Sequence, residues 1–170
     1  MRGRSSVPML LLLGVACAQP PTRELEIAAA RVDSARQQDA AVFAPDLFAE
    51  AESSLAEAQR LAASERNYLA AIQAAAHSTL RADEAFSRAS SERIVVVRKL
   101  DRLLFELESL LEMAADRGAT EKAPLELESL RARYDAIRAM ADKRDLLAAL
   151  AAGTALKPEL VRLEERVRGG

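Results

Sequence analysis

The sequence predicts an all-α protein, an elongated set of antiparallel helical hairpins or a bundle with coiled-coil-like packing, and three observations predict it. Half of the 170 residues are hydrophobic, yet only 4% are aromatic, so alanine and leucine carry the apolar content. Glycine is scarce, with 6 in the chain, while 29% of residues are charged. Such composition belongs to long helices packed side by side. Apolar residues also recur at spacings of three and four beyond Pro21, the period of a helix with one buried face. No strands are expected.

The opening stretch follows a different rule. Met1-Arg2-Gly3-Arg4 is basic, Val7 to Leu13 is an apolar run, and Gly14-Val15-Ala16 brings small residues up to Cys17. A positive start, a short apolar core and small residues before a cut make a secretory signal peptide over residues 1–16, too short to span a bilayer as a mature helix. The end of this segment resembles a bacterial lipoprotein lipobox, with Gly14 where the commonest version has leucine. The resemblance implies cleavage between Ala16 and Cys17 and a covalent lipid on Cys17. Alanine at position 18, where aspartate would imply retention at the inner membrane, implies export to the periplasmic face of the outer membrane. Cys17 is the sole cysteine, so no intramolecular disulfide can form, and acylation would occupy a thiol otherwise odd in a secreted chain.

Cleavage before Cys17 would leave 154 residues, a length for one domain, expected over 22–168 after a tether at 17–21. Losing Arg2 and Arg4 leaves 22 basic against 26 acidic residues and a net charge of −4. That balance gives no overall electrostatic reason to bind nucleic acid or anionic lipid.

In chain order, a helix is expected over Arg23 to Val42, opened by Thr22 as N-cap, with its stripe interrupted at Asp39. Ala44-Pro45 ends it and begins another, because proline suits a first helical turn and disfavours helical geometry in the residue before it. Phe48, Ala51, Leu55, Ala58 and Ala62 form the second stripe. After a turn at Ser64 to Asn67 comes a third pattern, Leu69, Ile72, Ala76 and Leu80, with Ala71, Ala75 and Ala82 widening the face. Ser90-Ser91 marks either a break or a polar spot in one long central helix. Val97, Leu100, Leu104, Leu107, Leu111 and Ala114 then carry the strongest rhythm, beside Val96, Leu103 and Leu110. Gly118 stops that helix and Thr120 can cap the next. Leu127, Leu130, Tyr134, Ile137 and Ala141 make a further stripe, and Gly153-Thr154 should separate a last short helix faced by Leu156, Leu160, Leu163 and Val167. Ala123-Pro124 stands as Ala44-Pro45 does, which suggests a degenerate duplication of one hairpin, residues 22–90 and 94–168.

The run Phe43-Ala44-Pro45-Asp46-Leu47-Phe48-Ala49-Glu50-Ala51, with Leu55-Ala56-Glu57-Ala58 and Asn67-Tyr68-Leu69-Ala70-Ala71, resembles an alanine-rich helical domain of unknown function in bacterial envelope lipoproteins. In some relatives that domain precedes an OmpA-like peptidoglycan-binding module. The resemblance spans about Thr22 to Ala89 and implies no catalytic residues. No room for an OmpA-like module is expected before Arg168-Gly169-Gly170, so direct peptidoglycan anchoring is not among the expectations the resemblance brings.

Catalytic and metal chemistry find little purchase. His77 is the only histidine, and Ala74 stands three residues before it, so the Glu-x-x-His pairs of di-metal helical bundles are missing. A nucleophilic triad would have to rest on His77 alone, and serine with lysine is the alternative that needs no histidine; neither is expected. The carboxylates fall mostly between apolar stripes, as solvated helix faces do. Arg162, Arg166 and Arg168 read as partners of Glu159, Glu164 and Glu165 along one helix. No enzyme activity, cofactor, metal or nucleic acid is expected. Val97, Leu100, Leu104, Leu107 and Leu111 read first as intramolecular core and, if left uncovered, as a partner or self-association surface. The function expected is an outer-membrane-anchored, periplasm-facing scaffold or accessory subunit. A self-associating coiled-coil spacer is the alternative, and a helical module for a small envelope ligand is a third, disfavoured by the few aromatics and the lack of a polar cluster on an apolar face.

Overall fold

Seven α-helices, two π-helical turns (Leu61–Glu65 and Ala115–Ala119) and no strand make up the described part of the chain, residues 20–169 of a computed structural model. The signal-peptide, cleavage and lipidation positions, Ala16 and Cys17 among them, lie outside the described residues. The helices are α1 (Thr22–Gln37), α2 (Ala40–Phe43), α3 (Pro45–Arg60), α4 (Tyr68–Ala114), α5 (Thr120–Lys122), α6 (Pro124–Asp142) and α7 (Leu146–Gly169). The described residues are therefore all-α.

The axis of the molecule is α4, 47 residues without interruption, about 70 Å at 1.5 Å per residue. It runs straight through Ser90-Ser91, where the Ser91 hydroxyl donates back to the Ser87 carbonyl at 3.0 Å. Asn67 caps its start, its Oδ1 accepting from the Ala70 amide at 3.3 Å. Against the first half of α4 lie α1, running parallel to it, and α3, running antiparallel. The order follows from Arg31 with Asp83 and Arg93 with Asp39 on one side, and Glu50 with Arg81 and Ser54 with His77 on the other. Against the second half lie α7, parallel, and α6, antiparallel to α7: Lys157 meets Glu106, while Arg133 and Arg166 on different helices meet Glu159 and Glu126. Each half is an up-down-up bundle, and α4 is the third helix of one and the first of the other.

The two halves share a common plan in detail. Asp39 (φ 59°) and Gly118 (φ 93°) turn the chain in the left-handed region, followed by the short helices α2 and α5. Ala44 (φ −145°, ψ 53°) and Ala123 (φ −148°, ψ 52°) then hold the same non-helical conformation before Pro45 and Pro124. Arg66 (φ 49°) and Arg144 (φ 65°) turn the chain again after α3 and α6. Burial keeps the same register: an offset of 79 residues carries buried Ala28, Val32, Ala35, Ala40, Phe48, Ala51 and Ala58 onto buried Leu107, Leu111, Ala114, Ala119, Leu127, Leu130 and Ile137. An offset of 78 carries Ala71, Ala75, Ser78, Ala82, Ala85 and Ala89 onto Ala149, Gly153, Leu156, Leu160, Leu163 and Val167, all buried.

Side-chain size distinguishes the halves. The first core is mostly alanine, with Val32 and Phe48; the second is mostly leucine, with Tyr134 and Ile137. Small residues on facing helices let backbones approach, and the buried Ser78 hydroxyl accordingly reaches across from α4 to donate to the Ala51 carbonyl on α3 at 2.8 Å.

Four local expectations change. The third stripe is reversed: Ala71, Ala75 and Ala82 face inward, while Leu69, Ile72 and Leu80 are exposed. Close packing against the alanines of α1 and α3 selects the small-residue face of α4 and turns the larger side chains out. The first helix ends at Gln37 because Asp39 is left-handed, and Thr22 and Thr120 are the first residues of α1 and α5 rather than side-chain caps. Gly153-Thr154 does not divide α7; Gly153 is helical and buried, and a Cβ there would sit 2.8 Å from Leu103 Cδ2. Its missing side chain brings α7 onto α4. On α7, Arg166 pairs across to Glu126 on α6 and Arg162 donates to the Pro158 carbonyl of its own helix, while Glu159 is taken by Arg133 and Glu164 by Arg117.

Candidate functional site

The leucine stripe singled out from sequence divides on folding. Leu100, Leu107 and Leu111 are buried in the C-terminal core, and Leu104 packs against that core from a partly buried position. Val97 is separate: it lines a hollow of about 300 Å³ with Gln38, Ser90, Arg93, Ile94 and Arg98. His77 is exposed, with its Nδ1 3.0 Å from the Ser54 hydroxyl. Among the described residues, no group of three or more His, Cys, Asp or Glu side chains is placed to hold a metal ion.

Between its two bundles α4 is bare. From Ser90 to Lys99 it buries no side chain, although Ile94-Val95-Val96-Val97 is four β-branched residues in succession. Such residues lose side-chain freedom in a helix and are usually kept where packing compensates. Here Ile94 and Val95 are exposed and Val96 and Val97 half-buried. The outward side of α4 also carries exposed Leu69, Leu80, Ile94 and Phe105. Leu69 and Phe105 are separated by about ten turns, and the other two lie nearly in line between them.

One concave surface begins in this bare segment. A groove of about 500 Å³ runs between α4 and α7, lined on α4 by Val95, Arg98, Lys99, Arg102, Leu103 and Glu106 and on α7 by Leu150, Thr154 and Lys157. The α4 residues Val95, Lys99, Arg102 and Glu106 recur at helical spacing, as do Leu150, Thr154 and Lys157 on α7, so one face of each helix forms a wall. Lys157 Nζ donates to Glu106 Oε2 at 2.8 Å and ties the walls together. That bond, before the Lys157 charge and the more distant Arg102, holds the Glu106 carboxyl below its ordinary range. Within the described residues Arg98, Lys99 and Arg102 form no ion pair.

Sequence reasoning missed this groove because its walls are more than forty residues apart in the chain; only the α4 wall left a signal, a basic cluster beside a β-branched run. No helix among the described residues is long and apolar enough to cross a membrane. Comparison with protein-family profiles, with curated proteins and with solved structures returned no match.

Proposed function

We propose that this chain is a lipoprotein of the bacterial cell envelope, anchored in the outer membrane through Cys17 and facing the periplasm, where it serves as a non-catalytic helical scaffold or accessory subunit. The observation that carries the reading is the order basic start, apolar run, small residues, lone cysteine, followed within five residues by a helix that begins at Thr22. The four intervening residues reach about 14 Å when extended, so a lipid on Cys17 would hold the bundle against the membrane surface. The outward apolar line of α4 supports helix-on-helix contact with another chain, because exposed apolar residues aligned along one helix face are a common docking mode. The same line favours the second reading, a spacer that associates with its own copies.

Membrane fractionation of the full chain and of Cys17→Ser tests the anchor: the native protein is expected with outer membranes and the variant off them. Unchanged membrane attachment of Cys17→Ser would overturn it. In-cell cross-linking then separates the two readings, since a specific foreign partner supports the accessory subunit and cross-links to itself alone support the spacer.

A further inference from the structure

The internal repeat gives the α4–α7 groove a reference. At the corresponding place in the N-terminal half, between α1 and the first part of α4, lies a hollow of about 260 Å³ lined by Glu24, Ile27, Ile72, Ala75, Ala76 and Thr79. The same two offsets carry Glu24 to Leu103, Ile27 to Glu106, Ile72 to Leu150, Ala76 to Thr154 and Thr79 to Lys157. Both hollows thus come from the way the first and third helices of each bundle meet. Their chemistry differs: no cation lines the N-terminal one, whereas four line the C-terminal one, so the fold itself does not require positive charge there.

We propose that the α4–α7 groove binds a single-chain anionic amphiphile, its carboxylate or phosphate head held by Arg98, Lys99 and Arg102 and its acyl chain lying over Val95, Leu103 and Leu150. The groove follows α4 from Val95 to Glu106, about 16 Å, which suits a medium-length acyl chain, and its volume falls within the range of small-ligand sites. Val95, Leu103 and Leu150 supply its apolar lining. Arg98, Lys99 and Arg102 form no ion pair within the described residues, the nearby Glu106 being held by Lys157, so an arriving head group displaces no existing ion pair. Arginine offers forked donors to a carboxylate or phosphate, and lysine adds a mobile point charge. Although the chain is acidic overall, binding depends on this local field. The lysine opposite, Lys157, is already committed to Glu106 and serves to hold the walls together.

The site is independent of the anchor, so the test uses the full chain carrying Cys17→Ser, leaving no covalent acyl chain to compete. Calorimetric titration below the critical micelle concentration would compare dodecyl phosphate, dodecanoate, dodecyl maltoside and inorganic phosphate. Dodecyl phosphate and dodecanoate are expected to bind one per chain, with the neutral amphiphile and the bare phosphate weaker by about tenfold or more, a difference of about 1.4 kcal/mol. The double variant Arg98→Gln/Arg102→Gln should weaken dodecyl phosphate by about tenfold, and Thr154→Phe should block the groove by bulk. Arg131→Gln, an exposed change on α6, should leave binding unchanged. Circular dichroism of each variant verifies the fold, and the exposed arginine pair decides the matter if Thr154→Phe does not fold. Equal binding of the neutral amphiphile, or unchanged binding by the double variant, would overturn the proposal. So would binding confined to anionic phospholipid vesicles, which would indicate a membrane surface, or to an acidic peptide, which would indicate a protein partner.

Discussion

Leu160 and Ala82 occupy equivalent places in the two halves, both with no solvent exposure, and exchanging their sizes tests the packing of each core. Leu160→Ala removes three carbons, roughly 2.4 kcal/mol of transfer free energy at about 0.8 kcal/mol per carbon. Because α4, α6 and α7 enclose the site, part of the space stays empty, and the expected total is about 2–5 kcal/mol. Ala82→Leu adds those carbons where α4 faces the alanine-rich surfaces of α1 and α3, and overpacking of that kind costs about 1–3 kcal/mol. Stability of a domain is roughly 5–15 kcal/mol, so either change should be plain in urea unfolding. For Leu160→Ala the melting temperature should fall by roughly 4–20 °C. The two sites lie in separate cores, so the double variant should show costs that add to within about 0.5 kcal/mol. A loss below about 1 kcal/mol for Leu160→Ala would contradict a fully packed leucine site. Full tolerance of Ala82→Leu would refute close approach through alanine in the N-terminal half.

Other perturbations have equally definite outcomes. Asn67→Ala removes the side-chain cap of α4 and should cost about 1 kcal/mol by urea titration. Gly118→Ala places a Cβ on a residue at φ 93° and should cost about 1–2 kcal/mol, while the fold survives by circular dichroism. Gly153→Val drives side-chain atoms into Leu103 and Leu107 and should lower stability by about 1–3 kcal/mol, despite better intrinsic helix propensity than glycine. Acidification should also destabilise the fold. Glu106 and Glu159 have carboxyl pKa values lowered in the folded state chiefly by hydrogen bonds from Lys157 and Arg133. A lowered folded value contributes stability above the unfolded carboxylate pKa, and that contribution is lost as pH falls through the lowered values. The melting temperature should therefore decline below about pH 4, and Glu106→Gln/Glu159→Gln should show a shallower decline.

Helical class, the Pro45 start and the Gly118 turn were legible in the sequence because each is local. Composition and a period of three to four require only neighbouring residues, and proline or left-handed glycine acts on its own backbone. The stretch from Met1 to Cys17 likewise carries its expectation in residue order alone. What the sequence could not settle is which of two apolar columns on one helix turns inward. Hydrophobicity favoured Leu69, Ile72 and Leu80, but the partner surfaces are alanine, and tight contact with them selects Ala71, Ala75 and Ala82. The correspondence between the halves left in the sequence only an Ala-Pro echo and the like spacing of Tyr68-Leu69-Ala70-Ala71 and Leu146-Leu147-Ala148-Ala149, because equivalent buried positions hold alanine in one half and leucine in the other. Ser90-Ser91 reads as polar punctuation, yet α4 is continuous there, since a serine can return its hydroxyl to the carbonyl four residues back without ending the helix. The α4–α7 groove belongs wholly to the tertiary structure: Lys157 is brought to Glu106 only by α7 running parallel to α4, and that approach depends on the absence of a side chain at Gly153.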